Sequence, residues 1–175
     1  HISMKQAKFT DRRTFLKTAA FTAVAAPAII PNLRSAPPSG RVLHASFGGA
    51  GMARADFNRI SEVDNVQLVA VADVDLARTE GLTERWPDLR IYQDFRELLE
   101  KEKDLDSVNV STPDHMHAPI AMSAMNLGLP VYGQKPLTHD IYETRQLTEV
   151  ARWKNLATQM GIQVHSSKEY KMAVA

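Results

Sequence analysis

Val110-Ser111-Thr112-Pro113-Asp114-His115-Met116-His117 and Val131-Tyr132-Gly133-Gln134-Lys135-Pro136-Leu137-Thr138 are the two stretches whose reading decides the fold. Each follows a short apolar run, and each carries a proline where the chain leaves that run. A proline biases the residue before it toward extended or polyproline backbone. Thr112 and Lys135 are therefore aimed rather than left loose. Such segments read as the carboxyl ends of strands, and in an open parallel sheet ligands bind there.

Outward from these stretches, short apolar runs alternate with longer helical patterns. Residues 42–45 read as a first strand and 53–60 as a helix. A second strand at 66–71 ends at Ala72-Asp73, and a helix at 76–86 is stopped by Pro87. Residues 90–92 are a brief third strand, 95–101 a helix and 107–110 the fourth strand. The segment 119–127 has apolar residues at Ile120, Ala121, Ala124 and Met125, one face of a helix, with Gly128 just beyond its end. Residues 129–132 are the fifth strand. Asp140 with Glu143 resembles a capping box, opening a helix that runs to about Trp153. Residues 156–160 are the sixth strand, halted by Gly161. Strand–helix alternation with short connections predicts an α/β fold, a doubly wound parallel sheet covered on both faces.

Ser46-Phe47-Gly48-Gly49-Ala50-Gly51 follows the first strand. Glycines there let a pyrophosphate meet backbone N–H groups at a helix N-terminus. Read as G-x-G-x-x-G, the run has Ser46 at its first position. A positive φ there would cost about 1–2 kcal/mol; a negative φ would not. Asp73 closes the second strand about one strand–helix unit later. Its carboxylate suits both adenosine ribose hydroxyls and repels a 2′-phosphate by about a few kcal/mol. Asp75 competes with it for the role of helix cap. Together these residues describe a Rossmann-type site for NAD, with NADP as the alternative. The candidate cofactor-binding residues are Ser46, Phe47, Gly48, Gly49, Ala50, Gly51, Asp73, Ser111, Thr112, Pro113, His117, Gln134 and Lys135.

From about Arg41 onward the chain resembles the glucose–fructose oxidoreductase / inositol dehydrogenase / MocA family. The likeness lies in Ser46 to Gly51, Val71-Ala72-Asp73, Ser107 to His117 with its Thr-Pro-x-x-x-His pattern, and Gln134-Lys135-Pro136. The family hallmark at the last place is Glu-Lys-Pro, so Gln134 is a departure that removes a carboxylate beside Lys135. The resemblance implies a two-domain oxidoreductase. It would move a hydride between the nicotinamide and a secondary hydroxyl of a sugar, polyol or glycoside. It also implies that Lys135, partly buried beside the nicotinamide, is the catalytic residue here. The other acid/base groups would come from an α+β substrate domain of which residues 163–175 are the truncated start. The full-length enzyme is expected to be a homo-oligomer, and this piece alone inactive.

A formal charge of +1 with 23% charged residues gives no basic stripe, so nucleic acid is not suggested. The absence of cysteine excludes disulfides and thiolate metal sites. Arg12-Arg13 before Phe15-Leu16-Lys17 and a weak apolar stretch resembles a twin-arginine export signal. That stretch is shorter than the roughly 20 residues needed to span a bilayer. Residues 1–36 are thus read as signal and linker, and 41–162 as the NAD-binding domain. The export machinery would be a transient partner, and the destination periplasmic or extracytoplasmic.

Two rival functions stand beside this one. A redox-inactive dinucleotide-binding or partner protein could use the same fold. A metal-dependent hydrolase could use His115 and His117, although no third ligand at zinc-like spacing accompanies them. No metal is therefore expected, and His117 is expected to line the cofactor or substrate cleft.

Overall fold

The computed structural model describes residues 40–174. Six parallel strands, β1 (Val42–Phe47), β2 (Val66–Ala72), β3 (Arg90–Tyr92), β4 (Ser107–Val110), β5 (Val131–Gln134) and β6 (Thr158–Gly161), form one sheet. Their order is β3-β2-β1-β4-β5-β6. The chain steps outward from β1 through β3, then returns to the other side of β1 with β4. The direction of winding therefore reverses between β1 and β4, which opens a crevice at that point. Helices α1 (Met52–Ile60), α2 (Leu82–Arg85), α3 (Phe95–Lys101), α4 (His117–Asn126) and α5 (Ile141–Lys154) make the connections. Two short helices, α6 (Gln163–Ser166) and α7 (Lys168–Ala173), follow β6. The export signal and linker expected at residues 1–36 lie outside the described residues.

Each face of the sheet has its own apolar layer. One gathers Phe47, Val69, Leu98, Val108, Val110, Ala124 and Leu147 with their neighbours; the other joins Phe57, Leu68, Val71, Leu82 and Leu89. Leu68 and Val71 share a face although they are three apart. A bulge explains it: His44 pairs with Leu68 but Ala45 with Ala70, so one extra residue in β2 reverses the alternation. Phe47 and Phe57 are fully enclosed, and burying such a ring contributes about 1.5–3 kcal/mol.

Three expectations shift. The helix expected at 76–86 is two pieces, a 3-10 turn at Leu76–Thr79 and α2, because Gly81 takes φ 74° between them. The fifth strand starts two residues late. Gly128, at φ 82°, closes α4 while Leu129 N–H donates back to Ala124 O, and Pro130 has no N–H to give a ladder. The sixth strand is delayed in the same way: Asn155, at φ 52°, ends α5, and Leu156 N–H donates to Ala151 O. The cap of α5 forms with one change. Asp140 Oδ1 accepts Glu143 N–H at 2.8 Å, while Glu143 Oε2 accepts the N–H of His139, one residue before the cap.

Candidate functional site

Gly48 leaves β1 at φ 106°. A Cβ there would lie 2.7 Å from Ser111 O and 2.8 Å from Ala53 Cβ, so only a hydrogen fits between β4 and α1. Gly51 caps α1 with φ 56° and ψ −125°, and nothing stands within 4 Å of where its Cβ would be. The first turn of α1 carries no acidic residue. The approach to this helix end is thus open at Gly51 and free of acidic side chains, which suits an anion. Ser46 is not strained: among the described residues Asn155 is the only non-glycine with positive φ. It is buried in β1 below the turn, and its hydroxyl donates to Gly48 O at 3.0 Å.

Asp73 stands just after β2. Its Oδ2 accepts Gly49 N–H at 2.8 Å and its Oδ1 accepts Asp75 N–H at 3.0 Å. Asp75, not Asp73, caps the 3-10 turn, accepting Ala77 N–H at 3.2 Å. Asp73 is therefore tied to the glycine turn and lines a cleft of about 940 Å³. Phe47, Gly48, Ala50, Gly51 and Arg78 share that cleft, and Ser111, Thr112 and Pro113 form its β4 side. Thr112 Oγ1 is buried there with no hydrogen-bond partner. A glycine cradle, an anion-ready helix end, a strand-end carboxylate and an orphaned hydroxyl fit a dinucleotide laid across the switch point.

Beyond the cleft, the α1 face of the sheet carries a chain of polar side chains. Ser107 Oγ lies 2.8 Å from His44 Nδ1, and His44 Nε2 lies 3.0 Å from Asn109 Oδ1. Asn109 Nδ2–H donates to Ser111 Oγ (3.1 Å), and Ser111 O–H donates to Asp56 Oδ2 (2.7 Å). Gln134 Nε2–H donates to both oxygens of Asp56, at 3.1 and 2.9 Å. Lys135 N–H in turn donates to Gln134 Oε1 at 3.2 Å. His44, Asn109, Asp56 and Gln134 are all buried. Burial pushes the His44 imidazole down to about 4, against the smaller pull of Asn109. Burial, with the charge of Asp56 added, pushes the Tyr132 phenol up. Gly161 in β6 completes the packing, since a Cβ there would lie 2.5 Å from the Tyr132 hydroxyl and 3.0 Å from Gln134 Nε2.

The structure corrects two expectations. Lys135 leads out of β5 as placed, but its side chain is exposed; this part of the fold does not bury it. His117 is not part of that cleft; it borders a separate pocket with Gly133 and Leu137. Its ring is 2% exposed, with Nδ1 2.6 Å from Pro136 O and Nε2 2.8 Å from Thr112 O. It clasps the two strand-end loops to each other, with each ring nitrogen facing a backbone carbonyl. His115 is exposed in the cleft wall, whereas both ring nitrogens of His117 face backbone carbonyls. Asp56 is the residue that the sequence reading missed. Only its register on α1, one turn beyond the glycines and facing β4 and β5, could have flagged it.

Comparison with known proteins agrees with this geometry. The family model described as an oxidoreductase family with NAD-binding Rossmann fold matches residues 44–162. An inositol 2-dehydrogenase of Saccharopolyspora erythraea is 32% identical over 136 residues, which are 75% of this chain and 40% of that protein. A protein of gentamicin A biosynthesis (GenD2), solved in complex with NAD, superposes with a TM-score of 0.71 at 26% identity, covering 76% of this chain and 38% of its own. The scyllo-inositol dehydrogenase of Lactobacillus casei, solved with NAD(H) and scyllo-inositol, reaches a TM-score of 0.70 over 76% of this chain and 39% of its own. At 21% identity that likeness speaks to the fold. The chain thus spans 28% to 40% of the length of the relatives it matches. With its glycine turn, strand-end aspartate and switch-point cleft inside the matched region, the chain belongs to the oxidoreductase family with an NAD-binding Rossmann fold.

Proposed function

We propose that this chain is the cofactor-binding part of an NAD-dependent dehydrogenase acting on a secondary hydroxyl of a polyol or sugar, with cyclic polyols of the inositol class as first candidates. The observation that carries the reading is the Gly48–Gly51 turn locked to Asp73 at the β1/β4 switch point. NAD, when bound, supplies the hydride acceptor. Gly48 to Gly51 would receive the pyrophosphate on backbone N–H groups, and Asp73 the ribose hydroxyls. Thr112 and Pro113 would form the opposite wall, with the Thr112 hydroxyl finding its missing partner there. Lys135, exposed at the next strand end, would hold or accept the substrate hydroxyl proton as the carbon–hydrogen bond breaks.

Asp73 favours NAD, and Arg78 on the same wall is the route by which NADP would be tolerated. The relatives' names support a polyol substrate. Export by the twin-arginine pathway, a periplasmic or extracytoplasmic destination, a role in carbohydrate metabolism and homo-oligomeric assembly of the whole enzyme belong to the same proposal. A folded-protein export route suits an enzyme that must leave the cytoplasm with its cofactor loaded.

The test is a panel of inositols and sugars offered with NAD to the full-length enzyme, following NADH absorbance. At least one secondary alcohol should give sustained NADH formation. Tight NAD binding with no turnover on any of them would favour the redox-inactive reading instead.

A further inference from the structure

We propose that Asp56 is a positioning residue for Lys135, acting through Gln134, and that Asp56 and Gln134 form an acid–amide pair in which each dictates the other. This rests on the dehydrogenase reading above. The pair joins helix α1 to the end of β5 across 78 positions of sequence. Gln134 is 3% exposed and Asp56 9%, so neither has water to fall back on.

Hydrogen-bond direction carries the argument. The Asp56 carboxylate receives one hydrogen from Ser111 and is met at both oxygens by the Gln134 amide. A carboxylate only accepts. Facing it, the Gln134 amide has one permitted orientation, with its NH₂ toward Asp56 and its oxygen away. That oxygen then meets the N–H of Lys135. Behind Asp56, the chain from His44 through Asn109 to Ser111 delivers hydrogens in the same direction and anchors the carboxylate. The amide orientation at the base of Lys135 is thus set from α1.

The same logic explains why glutamine can stand where the family hallmark has glutamate. Gln134→Glu alone would set two carboxylates about 3 Å apart, which cannot both ionise without a large penalty. In this chain the negative charge stands on α1, at Asp56. Exchanging the two side-chain types, Asp56→Asn together with Gln134→Glu, should work. The new amide on α1 accepts from Ser111 and donates to the new carboxylate on β5, which still accepts from Lys135. Changing one residue alone should not. Asp56→Asn on its own lets the Gln134 amide turn over and present NH₂ to the Lys135 N–H, donor against donor.

The experiment compares Asp56→Asn, Gln134→Glu and the double exchange in the full-length enzyme. Each single change should lower kcat by about 10–100-fold, the scale of a small misplacement of an acting group. KM for NAD should stay within about twofold, since neither residue lines the cleft, and the double exchange should return kcat to within about threefold of wild type. Amide hydrogen exchange at Lys135, measured by NMR in this chain, gives a readout independent of turnover. It should quicken about tenfold in Asp56→Asn and be restored by the double exchange. Wild-type kcat and exchange in Asp56→Asn would overturn the proposal, as would a double exchange that melts like wild type yet recovers neither. A wild-type enzyme that makes no NADH would count against the dehydrogenase reading, leaving amide exchange to judge Asp56 on its own.

Discussion

Gly49 and Asp73, 24 residues apart, are joined by a 2.8 Å hydrogen bond from the glycine N–H to the aspartate Oδ2. The glycine turn and the strand-end carboxylate are therefore tied into one unit. Gly49 also has to be small, because a Cβ there would come within 2.8 Å of the Thr79 methyl. Removing Asp73 would take away the proposed ribose partner and loosen the turn at once.

Asp73→Ala is accordingly expected to weaken NAD binding by tenfold or more, about 1.4 kcal/mol, and to erase the preference over NADP. Arg78 remains on that wall to attract a 2′-phosphate. Calorimetric titration of both cofactors checks it; equal wild-type affinities for NAD and NADP would contradict the ribose assignment.

Gly48→Ala and Gly51→Ala should separate space from conformation. At Gly48 the new methyl would press on Ser111 O at 2.7 Å, on top of an unfavourable φ of 106°. We expect a loss of about 3 kcal/mol, or roughly 10 °C in Tm. At Gly51 the space is open, so only backbone strain of about 1–2 kcal/mol applies. Thermal melts of the two variants should differ clearly, and equal Tm losses would mean that the β4–α1 approach is looser than it looks.

His44 gives a pH dependence whose sign follows from burial. Its pKa falls from an ordinary 6.5 to about 4 in the folded state, where the ring is 3% exposed. Between those values the unfolded chain binds the proton and the folded chain does not. Stability from this residue is intact above about pH 6.5 and drains away as pH drops toward 4, by about 3 kcal/mol in all. Urea unfolding of wild type and His44→Gln across that range should converge as the pH falls. A constant gap between the two curves would refute the buried neutral ring.

Lys135→Met in the full-length enzyme keeps the length of the side chain and removes the charge. Since Lys135 lies outside the cleft lining, NAD affinity should change less than about threefold. Turnover should drop by about 10²–10⁴, the usual worth of a positioned acid/base group. Steady-state kinetics decide between this role and that of a surface lysine, for which nothing would change.

Arg12→Lys with Arg13→Lys should block export of a folded reporter fused to residues 1–40. Fractionation that still finds the reporter outside the cytoplasm would contradict the twin-arginine assignment.

Most of the sheet was legible because its strands are short apolar runs bounded by strong punctuation: Gly48, Pro113, Pro136, Gly161. Residues 90–92, 95–101 and 107–110 form the elements expected at those positions. Strand starts after helices were less legible. Leu129 and Leu156 look like strand residues by hydrophobicity, but each is used to close the helix before it. The break at Gly81 was hidden because Leu76, Thr79 and Leu82 keep helical spacing across it. At the site, backbone-determined features such as the glycine turn could be read directly. Side-chain partnerships could not. His117 was expected in the cleft because its motif lies at a strand end, yet its ring turns beneath to two carbonyls. Asp56 reads as one more polar helix residue until β4 and β5 are laid against α1.

Gly161 bears on how this protein can change over time. It is not part of the cleft lining, but any larger residue there would crowd Tyr132 and the very nitrogen with which Gln134 reaches Asp56. In a saturation screen for activity, this position would score as intolerant alongside the cleft residues. The constraint would come from the far edge of the sheet, through a side chain that is not there.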